Sequence, residues 1–377
     1  MSEIEGNSVG SGVGQAGKGT ANTAETDAKV NAVGEPTIKL SLCIATYNRG
    51  ALISRTLDAL LEQMDASVEL IVVDGASSDN TPAILQTYLA RYPAVRYFRE
   101  ATNGGVDNDF DKAVMYARGS YCWLMSDDDL LLTGALQRVL DLLSGDPDLV
   151  IANAEVRTRD LDRVLKSRIL QFEDDRVYEA DDQERFFVDN AAYLSFIGCV
   201  VIRRDTWLSR DRKSFYGSLF IHVGVIFQPP GLIQIKVIAQ PLVAIRYGNA
   251  MWTARGFEIW NAKWPSLVWS FDQFSPQARA SVWPRFPASS LKNLLWYRAL
   301  GAYGKAEYGR LIVSGLTGPE AWHAAWVAKL PATLVNTLVA FYCFIDPRTD
   351  SALKLYDISL ASCAGKATRL MARLRGL

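Results

Sequence analysis

Three adjacent carboxylates, Asp127, Asp128 and Asp129, directly follow the apolar run Tyr121–Met125. Neighbouring carboxylates repel one another unless a cation or a helix N-terminus compensates their charge. Carboxylate oxygens are preferred ligands of Mg²⁺ and Mn²⁺, so this triplet could hold a divalent ion that also grips a diphosphate. A solvated loop that caps the following helix explains the same residues. The position directly after a predicted buried strand favours the metal site.

Polar residues also end two other predicted strands. Thr46, Tyr47 and Asn48 follow one apolar run, and Asp74 ends the run 69–73. Asp74 could accept a hydrogen bond from a nucleobase or a ribose, or it could simply form a turn before the next glycine. Ligands of open α/β sheets bind beyond the carboxyl ends of the strands. These groups and the acidic triplet are therefore expected to converge on one crevice.

A glycine turn and an acidic helix start lie between these strands. Asn103, Gly104 and Gly105 form a turn that would let the backbone approach a phosphate closely, and a plain turn explains them equally well. Three aspartates within residues 107–111 follow at the start of a predicted helix. Acids there interact favourably with the helix dipole, so a structural role accounts for them.

His222 is one of two histidines and lies in the apolar stretch 217–224. Imidazole suits a general base near neutral pH or a metal ligand, whereas a hydrogen-bonded core position is commoner for a histidine in an apolar run. His323 stands in a helical pattern and is predicted to be structural. The five cysteines are scattered and form no Cys-x-x-Cys pair, which argues against a zinc site of the Cys/His type and predicts buried free thiols.

The elements that must position these groups alternate along the chain. Between residues 37 and 152, short apolar runs are followed by segments with apolar residues at spacings of three and four. This rhythm predicts an α/β fold with a mostly parallel sheet flanked by helices on both faces. Residues 1–36 are poor in large apolar side chains and are predicted to form a disordered tail. The expected domains are a catalytic domain over 37–245 and a helical, aromatic-rich region over 246–377.

The C-terminal region carries two unusual patterns. Six of the ten tryptophans lie between residues 252 and 296, where they could form a core, a sugar-stacking platform or a membrane-interface belt. The last 27 residues contain five basic side chains and one acid, with leucines at helical spacing between the arginines. That pattern fits docking to an anionic membrane surface or a solvated terminal helix.

The overall composition excludes several classes of protein. The 377 residues contain 40 Lys and Arg against 41 Asp and Glu, which argues against a nucleic-acid binder. The sequence contains no run of about 18 apolar residues, so a membrane-spanning helix is not expected. No secretory signal is evident either. The expected location is therefore the cytoplasm, with peripheral attachment to the inner face of the cytoplasmic membrane as the alternative that the basic C-terminus raises.

The stretches Leu42–Arg49, Val72–Thr81, Asn103–Gly105 and Ala117–Asp129 together resemble a family 2 glycosyltransferase. Two stretches, residues 104–114 (Gly-Gly-Val-Asp-Asn-Asp-Phe-Asp-Lys-Ala-Val) and residues 123–129 (Trp-Leu-Met-Ser-Asp-Asp-Asp), are similar to the abequosyltransferase-like subgroup. That subgroup acts in bacterial surface polysaccharide (O-antigen or capsule) synthesis. The resemblance implies a GT-A fold, a UDP-, CDP-, GDP- or TDP-sugar donor and Mn²⁺ or Mg²⁺. It also implies a saccharide or lipid-linked saccharide acceptor and inversion in a single displacement.

The resemblance also assigns roles to individual residues. Thr46 and Tyr47 would line the base pocket, and Asp74 would bond the base. Asp127 would approach the ribose or donor sugar, and Asp128 and Asp129 would bind the metal. The usual Asp-x-Asp motif begins where Ser126 stands here, so the acidic pair is shifted along the chain.

Two further positions depart from the family pattern. Phe110-Asp111 aligns with the Arg-Asn pair that many members place near the phosphates, and Lys112 is expected to replace that charge. His222 aligns with the acidic base of many members and becomes the candidate base. The predicted catalytic residues are His222 and Asp127, and the predicted donor-binding residues are Thr46, Tyr47, Asn48, Arg49, Asp74, Asn103, Gly104, Lys112 and Asp127.

Two alternatives share this kind of fold. The first is a noncatalytic nucleotide- or carbohydrate-binding module, which the shifted acidic motif and the missing acidic base would suit. The second is a sugar-phosphate nucleotidyltransferase, which would typically carry a Gly-rich, basic phosphate loop after its first strand. The segment 45–49, Ala-Thr-Tyr-Asn-Arg, lacks such a loop and disfavours the second alternative.

Overall fold

The computed structural model describes residues 37–249, 255–312 and 315–377. The segment 1–36, which the sequence predicts to be a disordered tail, lies outside the described residues, as does Trp252. Ten strands form one sheet in the described part: β1 (Leu40–Thr46), β2 (Val68–Asp74), β3 (Val95–Arg99), β4 (Tyr121–Met125), β5 (Leu130–Leu131), β6 (Leu149–Arg157), β7 (Val164–Lys166), β8 (Arg176–Tyr178), β9 (Val200–Arg203) and β10 (Ile235–Arg246).

The strand order across the sheet is β3-β2-β1-β4-β9-β6-β10-β5, with β7 beside β6 and β8 beside β10. The pairs β1–β2, β2–β3, β1–β4 and β6–β10 are parallel. Strand β9, which the sequence pattern did not reveal, runs antiparallel to both β4 and β6 and joins the two parallel parts. The predicted α/β fold with a mostly parallel sheet is confirmed.

The central strands are buried on both faces. Every residue of β1, β2 and β4 is buried, because helices cover the sheet on either side. Nearly continuous apolar runs are the pattern expected of such strands. Seven helices belong to this part of the chain: α1 (Ile53–Leu61), α2 (Thr81–Leu89), α3 (Val106–Tyr116), α4 (Ala135–Leu143), α5 (Gln183–Asn190), α6 (Arg204–Ser209) and α7 (Ile221–Phe227). Short 3₁₀ turns at 180–182, 193–195, 197–199 and 213–215 connect them.

The described residues after β10 are helical, as the sequence predicts. The helices are α8 (Gly256–Glu258), α9 (Trp264–Ser270), α10 (Pro276–Val282), α11 (Leu291–Ala299), α12 (Lys305–Glu307), α13 (Gly318–Val327), α14 (Ala332–Ile345), α15 (Thr349–Leu360) and α16 (Lys366–Leu374). Single π-helical turns at 259–263 and 308–312 extend α8 and α12, and a 3₁₀ turn covers 287–289.

Part of the tryptophan-rich block belongs to the main core. Trp264 is fully buried, and its ring centroid lies 4.7 Å from that of Phe220, the residue before α7. Two smaller cores follow, one around α11 and α13 and one around α14, α15 and α16. All five cysteines are free, as predicted, and four of them are buried. Within the described ranges, no single helix combines the length and apolar character needed to cross a membrane.

Candidate functional site

Strand register brings the polar strand ends to one edge of the sheet. Thr46 at the end of β1 pairs with Asp74 at the end of β2, and Asp74 pairs with Arg99 at the end of β3. On the other side of β1, Ile44 pairs with Met125, the last residue of β4. The segments that follow β1, β2 and β4 therefore border one crevice at the carboxyl edge, where open α/β sheets bind ligands.

In the segment between β1 and α1, the Tyr47 side chain is exposed to solvent, whereas the Asn48 side chain bonds to another loop of the protein. The Tyr47 side chain is 36% exposed at the crevice. Asn48 adopts a left-handed backbone with φ of 54°, and its side-chain oxygen accepts hydrogen bonds from the backbone N–H groups of Ser78 (2.8 Å) and Asp79 (3.3 Å). Asn48 therefore holds the β2–α2 loop against the crevice, while Tyr47 offers a ring for stacking.

Arg49 compensates two carboxylates of the acidic triplet. Its Nε atom lies 3.3 Å from Oδ1 of Asp127, and its Nη2 atom lies 3.5 Å from Oδ2 of Asp128. The Asn249 amide donates a further hydrogen bond of 2.9 Å to Oδ2 of Asp128. Burial and the neighbouring Asp128 charge raise the pKa of Asp127 to about 7, and Arg49 opposes that rise. The crevice thus holds two acids whose charges are only partly compensated.

The third acid of the triplet points elsewhere. Oδ1 of Asp129 accepts a hydrogen bond of 2.7 Å from the backbone N–H of Arg246, and the Arg246 Nε donates to the Asp128 carbonyl at 2.8 Å. Burial, followed by the Asp128 charge, holds the pKa of Asp129 well above its usual range. Asp129 therefore ties the end of β4 to the end of β10. Its predicted role as a metal ligand stays a prediction, and the geometry favours Asp127 with Asp128.

The donor set fits a divalent ion held by two carboxylates. No group of three or more His, Cys, Asp or Glu residues gathers as a metal centre among the residues that the structure describes. The Arg49 guanidinium nevertheless lies against both Asp127 and Asp128. This contact shows that the two carboxylates together attract a positive charge. Mg²⁺ in particular is commonly held by one or two carboxylates together with substrate phosphates and water. Asp127 and Asp128 would be its protein ligands here.

Asp74 is committed to contacts within the protein. It has no exposed surface, and its Oδ1 accepts a hydrogen bond of 2.8 Å from the backbone N–H of Ser77. Its Oδ2 accepts one of 2.8 Å from the Tyr97 hydroxyl and lies 3.9 Å from the Arg99 Nε. Asp74 therefore shapes the turn at residues 75–77. Its predicted bond to a nucleobase would have to replace or share one of these contacts.

Asp109 lies beside this turn, and sequence reasoning missed it as a site residue. It is 3% exposed, and its Oδ1 is buried without a hydrogen-bond partner. Its Oδ2 faces Gly75 so closely that a Cβ there would lie 2.5 Å away. Burial raises the pKa of Asp109 to about 6, while Lys112 opposes the rise. This close contact between a helix residue and a glycine in the turn after β2 gives no signal in the local sequence.

Lys112 and the glycine turn occupy the same corner. The Lys112 Nζ donates to Oε2 of Glu100 at 2.5 Å, so the charge predicted to meet a phosphate is already paired. Residues 103–105 are exposed before α3, and the Asn103 side chain accepts a hydrogen bond of 2.9 Å from the Gly105 N–H. A Cβ on Gly104 would lie 2.2 Å from the Asn108 amide nitrogen. Close packing therefore explains Gly104, and its contact with phosphate stays a prediction.

Two acids on one face of α3 fix a wall formed by the chain that leads into α7. Asp107 accepts three backbone hydrogen bonds, from Gly217 and Leu219 at 2.8 Å each and from Ile221 at 3.0 Å. Its carboxylate therefore sets the path of the chain into α7. The spacing of Asp107 and Asp111, four residues apart on a helix, was the only sequence signal that they share one face.

Asp111 holds the preceding part of the same wall. It accepts hydrogen bonds from the Trp207 indole at 2.9 Å, the Arg212 Nε at 2.7 Å and the Tyr216 hydroxyl at 2.6 Å. The sequence assigned these acids only to the helix dipole. In the structure they connect α3 to a segment about 100 residues further along the chain.

His222 lies inside α7 and is 1% exposed. Its Nε2–H donates to the Leu194 carbonyl at 2.6 Å, and since a carbonyl only accepts, Nδ1 carries the free lone pair. Nδ1 is buried and has no partner. Burial lowers the pKa of His222 to about 4, so the ring is neutral at pH 7. This placement gives His222 no direct access to the crevice, and its role as a base stays a prediction.

Comparison with known proteins points to one family. The model of the family described as Glycosyl transferase family 2 matches residues 41–208. The chain is 26% identical over 235 residues to the abequosyltransferase RfbV of Salmonella typhimurium, which covers 58% of this chain and 69% of that protein. It is 31% identical over 107 residues to a Campylobacter jejuni protein named GalNAc(5)-diNAcBac-PP-undecaprenol beta-1,3-glucosyltransferase, which covers 27% of this chain and 33% of that one.

A solved structure shares the fold. S. aureus TarS 1–349 in complex with UDP superposes with a TM-score of 0.53 at 13% sequence identity, covering 90% of this chain and 92% of that chain. At this level of identity the match concerns architecture alone. It includes the helical C-terminal region as well as the sheet, because it extends over most of both chains.

Proposed function

The chain carries a glycosyl transferase family 2 domain, and we propose that it moves a sugar from a nucleotide-diphosphate sugar to a hydroxyl of a saccharide or lipid-linked saccharide acceptor. The observation that supports this most directly is the pair Asp127 and Asp128, which meets Arg49 at the carboxyl edge of the sheet. Two partly compensated acids beside an exposed aromatic ring suit a ligand that combines a base, a diphosphate and a cation.

The donor would lie across the ends of β1, β2 and β4. Tyr47 offers its exposed ring to the base, and Thr46 lies beside it at the end of β1. The turn at 75–77, which Asp74 holds in place, supplies backbone groups for hydrogen bonds to the base or ribose. Asp127, which contacts Arg49 at the same edge of the sheet, is assigned to the ribose or donor sugar.

Asp127 and Asp128 would also hold the divalent ion, Mn²⁺ or Mg²⁺. When bound, such an ion offsets diphosphate charge as the bond between sugar and phosphate breaks. The Asn249 amide orients Asp128 through its hydrogen bond to Oδ2. The Ser126 hydroxyl donates to the other oxygen of Asp128 from the position where the family motif usually begins with an acid. Arg49 supplies a permanent positive charge at the same place.

Transfer with inversion requires a base that accepts the proton of the attacking hydroxyl. His222 is the candidate that the sequence supplies, and Nδ1 is the nitrogen able to accept that proton. The wall at 217–221, fixed by Asp107, would have to open a path from Nδ1 to the acceptor. A hexosyl or dideoxyhexosyl donor and a role in O-antigen or capsule synthesis are proposed from similarity to the abequosyltransferase.

A panel of nucleotide sugars tests the proposal. UDP-, CDP-, GDP- and TDP-sugars would each be incubated with the protein in Mn²⁺, Mg²⁺ or EDTA, and released nucleoside diphosphate would be measured. We expect metal-dependent release from donors of one base. The double variant Asp127→Asn, Asp128→Asn should lose this release.

The matched control is Asp129→Asn, an equally conservative change in the neighbouring acid that faces Arg246. If Asp129→Asn abolishes release while the double variant retains it, the assignment of the acidic pair is wrong. Donor binding without turnover, even after an acceptor screen, would instead favour a noncatalytic nucleotide-binding module. Absence of binding to every donor would contradict the proposed donor site.

A further inference from the structure

The helices α13, α14 and α16 expose an unusual number of large apolar side chains. Each of the nine is between 45% and 68% exposed, and together we call them the apolar face: Trp322, Trp326, Leu334, Leu338, Phe341, Tyr342, Ile345, Leu370 and Leu374. Isolated exposed apolar residues are ordinary on protein surfaces, whereas neighbouring ones mark an interaction site. Seven of the nine lie on α14 and α16, which contact each other. This set lies outside the crevice residues described above.

Helix α14 is apolar on two opposite sides. Val335, Ala340 and Cys343 are buried in the core that α14 shares with α15 and α16. The exposed residues 334, 338, 341 and 345 recur at intervals of four, three and four, and thus form one stripe along the helix. A surface helix of a water-soluble domain normally turns a polar stripe outward. The outer stripe of α14 therefore needs an apolar environment of its own.

Helix α16 lies beside α14 and continues this surface. The Thr368 hydroxyl donates to the Asn336 side chain at 2.6 Å near the start of both helices, and Arg375 donates to the Phe344 carbonyl at 3.1 Å near their ends. The two helices therefore run side by side in the same direction. Leu370 and Leu374 are exposed on the outer side of α16.

Basic side chains border the apolar residues of α16. Lys366, Arg369 and Arg373 are exposed, and the two arginines form no ion pair with another described residue. Neither α14 nor α16 contains a single acidic residue. On α13, Trp322 and Trp326 stack with ring planes 3° apart and remain largely exposed. Exposed tryptophans, leucines and arginines together are the composition of helices that lie in a membrane interface.

We propose that the apolar face, with the basic side chains of α16, docks onto the surface of an anionic lipid bilayer. Helix α14 spans about 21 Å at 1.5 Å per residue, which is shorter than the roughly 30 Å of a hydrocarbon core. Together α13 and α14 are long and apolar enough, but they are bent by 103°. Both helices therefore lie along the interface, with the apolar side chains inserted and the arginines at the phosphate level.

Charge favours a lipid surface over a second copy of the chain as the occupant. In a symmetric dimer through α14 and α16, the basic side chains of one copy would find no acidic partner on the same two helices of the other, because neither helix contains an acid. Anionic phosphates compensate every one of these charges. The inference concerns a surface separate from the donor crevice and does not depend on the proposed transfer reaction.

Co-sedimentation of the full chain with vesicles tests this inference. We expect binding to phosphatidylcholine vesicles that contain 30% phosphatidylglycerol, and much weaker binding to phosphatidylcholine alone. The variant Arg369→Gln, Arg373→Gln should lower the partition coefficient on anionic vesicles by roughly 10- to 30-fold, because each basic residue contributes about a factor of five. The variant Leu338→Ser, Phe341→Ser, Ile345→Ser should lower it at least tenfold on the same vesicles.

The matched control is Val177→Ser, Ile233→Ser, which removes exposed apolar side chains outside the face. It should bind like the wild type, and circular dichroism with thermal unfolding should show that every variant is folded. Wild-type protein that stays in the supernatant with both vesicle types would overturn the proposal. So would unchanged binding of the triple variant, or a wild-type dimer in sedimentation equilibrium that the triple variant loses.

Discussion

The guanidinium of Arg49 lies within 3.5 Å of both Asp127 and Asp128, so one cation from the β1–α1 segment compensates two acids that follow β4. Because the three side chains are largely buried, the attraction is little screened by water. The same acids are the ones that a divalent ion would approach. Arg49 and the metal are therefore expected to act on the same pair of charges.

Replacement of Arg49 by Met should make the protein less stable and more responsive to metal. The two acids would lose their compensating charge, and we expect a loss of about 3–5 kcal/mol in the free energy of unfolding at pH 7.5. Mn²⁺ should then raise the Tm of the variant more than that of the wild type, since the ion no longer competes with the guanidinium. Equal Mn²⁺ responses of the two proteins would contradict a shared site.

Replacement of Asp109 by Asn should stabilise the protein at neutral pH. The pKa of Asp109 rises from 3.8 to about 6 on folding, so the folded state binds more protons between these values and loses stability as the pH rises through them. Asn does not ionise. We expect the variant to be more stable by up to about 3 kcal/mol at pH 7.5 and equal to the wild type below pH 4.

Urea unfolding of both proteins at several pH values measures this difference. A stability difference that does not change with pH would show that the carboxyl group does not titrate in this window.

Replacement of His222 by Gln should make the free energy of unfolding less sensitive to acid pH. The pKa of His222 falls from 6.5 to about 4 on folding, so the unfolded state binds more protons between these values. Its contribution to stability is therefore complete above pH 6.5 and is lost as the pH falls toward 4, by up to about 3 kcal/mol. The wild type should lose more stability than the variant between pH 7.5 and pH 5.

The same variant tests the predicted base. A general base contributes about 10²- to 10⁴-fold to the rate, so a loss of that size in a folded variant would support the role proposed for His222. A rate within tenfold of the wild type, together with the expected change in acid stability, would assign His222 to the core alone. Donor binding should be the same in both proteins, because no described contact links His222 to Tyr47 or Asp127.

Replacement of Asp107 by Ala should loosen the wall before α7. Three backbone N–H groups would lose their acceptor, and we expect the free energy of unfolding to fall by about 2–4 kcal/mol. Unchanged stability in urea would contradict the anchoring role of this carboxylate.

Local sequence patterns were enough to predict the alternation of strands and helices and the polar residues at the strand ends. β4 begins and ends at Tyr121 and Met125, as its apolar run predicts. These features depend on the period of apolar residues within about ten positions, which each segment carries in its own sequence. The helical C-terminal region follows from the same local patterns, and the meeting of the polar strand ends was expected from the rule that ligands of open α/β sheets bind beyond the carboxyl ends of the strands.

The partners of the individual polar side chains depend instead on how the chain folds. The sequence places Asp128 and Asp129 side by side, but Asp129 bonds to Arg246, 117 positions further along the chain, while Asp127 and Asp128 meet Arg49. Asp107 likewise binds the backbone of Leu219, 112 positions away. Such partners share no spacing in the sequence, because strand order and register alone bring them together.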